Sequence, residues 1–348
     1  LVGRFYGERA RLAASLLIAV SWVGVIAVQI VASGKVLGAI FGGDETVFMI
    51  ACTAVFVLYT AHGGQSSVVR TDLVQFLIII TGMAVLFFKA VTAAGPEAWQ
   101  GLSFPTSDRM DGWDVLSMLM VVGSAYLVGP DMYSRIFSAH SPRDAKISAI
   151  ISALILVPLA FLITFLGIFS RSLYPALPPE QAIPALLTGL VSPGVQGLVA
   201  AALLAAFMSS ADTSLMTATS ILTLDIYKKA RPSAGANHLL NASRIIALIL
   251  GACALILAVS LPSIIKTLMI AYTVFTGGLL VPVVAGFYRD RLGLTPGGAL
   301  AALVGGGATA ILFSQSYPLL GMGVSLLLLF AVSRMERWNK NRKMPVCG

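Results

Sequence analysis

The chain has 348 residues, of which 57% are hydrophobic and only 11% charged, with a mean hydropathy of +0.90. An ordinary soluble domain carries roughly 25% charged residues, so a water-facing fold of this length is excluded and the chain belongs in a bilayer. The net charge of +8 would suit nucleic acid only if its cations formed a patch on a soluble face. Their placement along the chain decides that question.

Arg4, Arg9 and Arg11 precede the first apolar run, 12–33, which is too long for a signal-peptide core. Further runs able to cross a ~30 Å hydrocarbon layer fall at 46–61, 68–90, 113–129, 148–169, 195–226, 241–260, 264–287, 297–314 and 317–333, ten in all. A short surface helix is expected at 178–191, after Pro178-Pro179. The polar connector 228–240 and the loop 94–112 are the longest links. Ten crossings put both ends on one side, together with 18 of the 23 Lys and Arg residues. Only Lys35, Lys89, Arg109, Arg171 and Lys266 fall opposite. By the positive-inside rule that side is cytoplasmic, and the charge reports topology and contact with anionic lipid rather than nucleic acid.

Polar groups inside a membrane are costly, so their positions carry information. In 195–226, Ala206, Ser209, Ser210, Thr213, Thr217 and Ser220 share a ~100° arc at helical pitch. Ala206, Ser209 and Ser210 stand at i, i+3 and i+4 and can offer neutral oxygens to a hard monovalent cation. Small-residue helix packing would enrich the same residue types. Asp212, placed beside Thr219 and Thr223, calls for a cation, an aqueous cavity or a structural hydrogen bond.

Gly63-Gly64 permits a tight turn before 68–90. Asp72 in the first turns of that run suits the helix dipole and a pairing with Arg70, or else the inner mouth of a cation pathway. Gly123, Gly129 and Pro130 interrupt 113–129, where Tyr126 is either an interfacial aromatic or a cavity lining. Gly277-Gly278 and Pro282 suggest a kink in 264–287. Cys52, Cys253 and Cys347 have no disulfide or zinc spacing, and His62, His140 and His238 are scattered over loops. With no nucleophile–base pair or phosphate loop, an enzyme is disfavoured.

Three stretches together resemble the sodium:solute symporter family. They are Gly63-Gly64 through Thr71-Asp72-Leu73-Val74-Gln75; Gly129-Pro130-Asp131-Met132-Tyr133-Ser134-Arg135 with Ser141-Pro142-Arg143-Asp144-Ala145; and Met208-Ser209-Ser210-Ala211-Asp212 through Asp225-Ile226-Tyr227-Lys228. The resemblance implies an all-α polytopic membrane protein with a leucine-transporter-type inverted-repeat fold. In that frame 12–90 is the remainder of the first repeat, 113–287 the second repeat, 297–333 two peripheral helices and 334–348 a basic cytoplasmic tail. Nothing corresponds to the first core helices, so the chain is expected to be N-terminally truncated by about three helices, roughly 60–110 residues.

The resemblance further implies sodium ligation by Ala206, Ser209 and Ser210, a cation pathway past Asp72, and a substrate border at Tyr126 and Pro130. Asp212 joins the cation pathway, where a proton could replace sodium. Val122 stands where proline-type members carry tryptophan, and 154–165 is apolar apart from Thr164, so neither proline nor a sugar is supported. The expected activity is sodium-coupled symport of a small organic solute across the cytoplasmic membrane by alternating access. Sodium is then the coupling ion, with no other cofactor; the partners are sodium, the solute and membrane lipid. A symporter-like membrane sensor module, or a transport-incompetent fragment, are the alternatives.

Overall fold

The computed structural model describes residues 1–100, 106, 107 and 110–342, the side chains of 64–70 and 341 excepted. Arg109 and Lys343, counted in the charge analysis, lie outside the described residues, as does the side chain of Arg70. In chain order the helices are α1 (Val2–Tyr6), α2 (Glu8–Phe41), α3 (Glu45–Ala94), α4 (Gly112–Val128), α5 (Pro130–Phe137), α6 (Pro142–Leu173) and α7 (Ala182–Leu190). They continue with α8 (Pro193–Leu222), α9 (Lys228–Ala230), α10 (Ala236–Ser260), α11 (Ile264–Gly286), α12 (Arg289–Leu292), α13 (Pro296–Phe313) and α14 (Leu320–Arg342).

Local chemistry sets many of these boundaries. Asp44 accepts from the Thr46 N–H at 2.8 Å, and that bond holds its carboxyl below the usual range. Asp111 and Asp114 form a reciprocal capping box at α4. Proline opens α5, α6, α8 and α13, where its missing N–H costs nothing.

Among the described residues, nine helical segments are long and apolar enough to cross a membrane. The tenth expected run corresponds to α14, whose apolar stretch gives way to Arg334, Glu336 and Arg337. The connector 228–240 is more ordered than its composition suggests, because α9 and α10 occupy most of it.

Helix α3 contributes two of the nine segments, 45–63 and 71–94. In a straight helix Tyr59 and Thr71 would be ~18 Å apart, yet their hydroxyls lie 2.5 Å from one another. The helix therefore bends sharply between its two limbs, and Thr60 and Asp72 both reach α8 within one turn of each other, at Asp212 and Ser209.

The main core joins α2, the first limb of α3, α8, α10, α11 and α13 through Ile26, Ile30, Phe56, Leu215, Leu250, Phe275 and Leu303. Trp22 packs against Phe275 with ring centroids 4.7 Å apart. A second cluster, with Leu86, Leu166, Phe169, Leu186 and Val199, ties the far limb of α3 to α6, α7 and the start of α8. At one end of the bundle Arg11 and Ser15 of α2 hold Asp225, and Lys229 meets Glu8. Asp225 lies in a π-helical turn, Thr223–Tyr227, that continues α8. Beneath α11, the Tyr6 hydroxyl donates to the Pro282 carbonyl at 3.1 Å. Burial pushes that phenol up to about 12, so it keeps its proton at neutral pH.

Helix α11 runs unbroken through Gly277, Gly278 and Pro282. The glycine pair serves close packing. A methyl group on Gly306 of α13 would lie 2.3 Å from the Gly277 carbonyl oxygen and 2.6 Å from Ser325 Cβ of α14. Gly306→Ala is expected to lower the thermal midpoint in detergent by an overpacking cost of about 1–3 kcal/mol. Gly123→Ala, where a methyl meets nothing within 4 Å, is the control. Equal melting of both variants would contradict the three-helix contact.

Candidate functional site

The polar face of α8 is the organising element. Ser209 Oγ donates to Asp72 Oδ1 at 2.9 Å, joining α8 to the second limb of α3. The other Asp72 oxygen lies 3.7 Å from Arg135 Nη2 on α5. The pairing expected for Asp72 was Arg70, whose side chain is outside the described residues; the partner found is 63 positions further along the chain. Ala206 and Ser209 are half-buried and Ser210 is exposed on the same helical face. Hydroxyl and carbonyl oxygens with a carboxylate beside them form a donor set for a hard, weakly held cation.

Asp212, one turn beyond Ser209, is 1% exposed. Its Oδ1 lies 2.8 Å from Thr60 Oγ1, which is also 2.8 Å from the Phe56 carbonyl oxygen. Its Oδ2 is buried and without a hydrogen-bond partner among the described residues. Thr219 and Thr223 share its side of the helix at helical pitch, as expected, but at other levels. They stand seven and eleven residues further along, at least ~10 Å up the helix. Among the described residues, their own hydroxyls are buried and have no hydrogen-bond partner.

The interruption expected at Gly129-Pro130 is present. Proline disfavours the helical region for the preceding residue, and Gly129 is extended at φ −63°, ψ 128° between α4 and α5. Tyr126 is 61% exposed on the last turns of α4, and Pro130 is half-buried. Asp131 follows the break, and Thr217 of α8 donates to its Oδ1 at 2.5 Å. Sequence reasoning passed over this carboxylate. The available signal was an acid immediately after a helix break at membrane depth. The α8 face thus gathers Asp72, Asp131, Arg135 and Thr60 from three other stretches. Tyr126 and Pro130 lie along the break.

The Sodium:solute symporter family profile matches residues 1–306. The sodium/pantothenate symporter of Escherichia coli K12 is 28% identical over 324 residues, covering 88% of this chain and 67% of that protein. The sodium/proline symporter of the same strain is 26% identical over 332 residues, covering 90% and 66%. Sodium/glucose cotransporter 4 of Danio rerio is 25% identical over 300 residues, covering 73% and 46%. The chain thus spans about half to two thirds of the length of these relatives. In fold it matches a solved Na+-coupled sialic acid symporter in a substrate-bound outward-open state, with a TM-score of 0.76 at 18% identity. The match covers 96% of this chain and 76% of that one, and the architecture is of the leucine-transporter type. The chain is a multi-pass membrane protein of a transporter family, not an enzyme. With nearly nine tenths of its length inside the family profile, it belongs to the sodium:solute symporter family.

Proposed function

We propose that the chain serves sodium-coupled symport of a small organic solute across the cytoplasmic membrane by alternating access, with both ends cytoplasmic. The observation that carries this reading is the Ser209–Asp72 contact at 2.9 Å, on a helix face that also presents Ala206 and Ser210. In this reading Ala206, Ser209 and Ser210 ligate sodium, and Asp72 and Asp212 line its path. Tyr126 and Pro130 border the solute at the α4–α5 break. Residues 12–90 supply first-repeat helices and 113–287 the second repeat. The peripheral pair 297–333 and the basic tail 334–348 follow. Sodium occupancy favours the solute-competent state because both sites share α8, so the two affinities rise together.

The test is accumulation of labelled proline, pantothenate, glucose and sialic acid by the complete gene product in proteoliposomes, with and without an imposed sodium gradient. Ser209→Ala and Ser210→Ala should each raise the sodium concentration for half-maximal uptake by about tenfold, the loss of roughly one hydrogen-bonding oxygen on an ion. Unaltered sodium dependence in both variants would remove the site assignment.

A further inference from the structure

Three carboxylates face the α8 helix at membrane depth. Asp72 takes Ser209, Asp131 takes Thr217, and Asp212 lies on α8 against Thr60. Among the described residues, Arg135 is the one cation in ion-pair contact with any of them, through Asp72. Sodium at Ser209 and Ser210 would bring the positive charges to two against three carboxylates. A third negative charge remains, and buried charge without compensation is strongly unfavourable.

The surroundings of Asp131 say what could offset it. Tyr272 of α11 faces both Asp131 and Tyr126, and Tyr126 itself has an exposed ring. Trp22 of α2 is 4% exposed, its indole N–H has no hydrogen-bond partner among the described residues, and its side chain interacts with Asp131. A carboxylate bordered by aromatic rings is the environment that recognises a positively charged nitrogen, by ion pairing and by the ring quadrupoles. The unused indole N–H and the tyrosine hydroxyls beside it can take an acceptor atom of the same molecule. Helix α5 and Thr217 fix the carboxylate in place from behind, at the helix break that the symport reading assigns to solute.

We propose that Asp131 is a specificity-determining residue, binding the positively charged nitrogen of a cationic or zwitterionic solute between Tyr126, Tyr272 and Trp22. This inference rests on the symport reading, and its test separates the two. Complete gene product in proteoliposomes would be offered choline, putrescine and proline, which carry a positive nitrogen. The comparison compounds are 3,3-dimethylbutan-1-ol (the uncharged isostere of choline), glucose and pantothenate.

The expected result is sodium-driven accumulation of at least one positive-nitrogen compound and exclusion of the comparison set. Asp131→Asn should weaken the apparent affinity for the accumulated compound by about 30-fold or more, as for a buried charge pair losing one partner. Asp131→Glu should restore much of it, and sodium-induced thermal stabilisation should survive in both variants, showing that they fold. Accumulation confined to glucose, pantothenate or the uncharged alcohol would overturn the inference and leave symport intact. So would wild-type affinity in Asp131→Asn. Absence of sodium-driven accumulation for all six compounds would overturn the inference, and loss of sodium-induced thermal stabilisation in the parent protein would overturn the symport reading with it.

Discussion

Asp212→Asn is expected to leave the protein folded while weakening its response to sodium by about 100-fold. The carboxamide keeps the shape of the carboxylate, and its oxygen can still accept from Thr60 across the 2.8 Å contact. What disappears is a charge that the fold buries almost completely, with one oxygen lacking a partner among the described residues. Removing such a charge relieves a desolvation cost, so the thermal midpoint should hold or rise. The effect on an ion runs the other way. Positions three apart on a helix stand ~6 Å from each other. A unit charge at that distance from a sodium ion on Ser209 contributes about 3 kcal/mol at an effective dielectric of 20. The measurement is the sodium concentration giving half-maximal thermal stabilisation, which needs no knowledge of the solute. Asp212→Leu separates the two roles, because it removes the Thr60 contact as well as the charge. If Asp212→Asn binds sodium like the parent while Asp212→Leu melts early, Asp212 is a structural hydrogen-bonding group and has no place on the ion path.

How far such a site can be read from sequence follows from what fixes each part of it. The membrane-spanning helices were legible because length and apolar composition alone decide whether a segment can cross a bilayer. The α4–α5 interruption was legible because Gly129-Pro130 imposes it through covalent geometry. The face shared by Ala206, Ser209 and Ser210 follows from helical pitch. Partners across helices follow from none of these. Ser209 meets Asp72 across 137 positions, and Thr60 meets Asp212 across 152. Which residue faces which depends on helix rotation and tilt, and these are set by packing such as the Trp22–Phe275 contact and the small-residue seam at Gly277 and Gly306. The same limit explains why Arg135, 63 positions further along, was not foreseen as a partner of Asp72, and why the packing role of Gly277-Gly278 was not read. Asp131 was missed because its meaning depends on Thr217, Trp22 and Tyr272, three residues from three other helices.

Asp72→Asn should reduce sodium-driven accumulation by about 100-fold, with little change in stability. One carboxylate oxygen accepts from Ser209 at 2.9 Å and the other faces Arg135 at 3.7 Å. The arginine side chain is 65% exposed, so the ion pair itself contributes only ~0–1 kcal/mol to the fold. A sodium ion on Ser209 would sit within about 5 Å of the same carboxylate, where a unit charge is worth about 3 kcal/mol at a dielectric of 20. Sodium and Arg135 therefore compete for one negative charge, and Arg135 stands on α5, directly after the break that borders the solute. Binding the ion loosens the hold of Asp72 on α5, and seating α5 on Asp72 loosens the hold on the ion, as linkage requires. Arg135→Ala should then tighten sodium binding by about twofold to fivefold, the coupling expected for a partly exposed charge, while slowing turnover because release loses its competitor. In an Asp72→Asn background the same arginine substitution should leave sodium affinity unchanged, since the shared charge is already gone. Equal effects of Arg135→Ala in both backgrounds would detach the arginine from the ion site, and the route from sodium to the α4–α5 break would have to run through Thr217 and Asp131 instead.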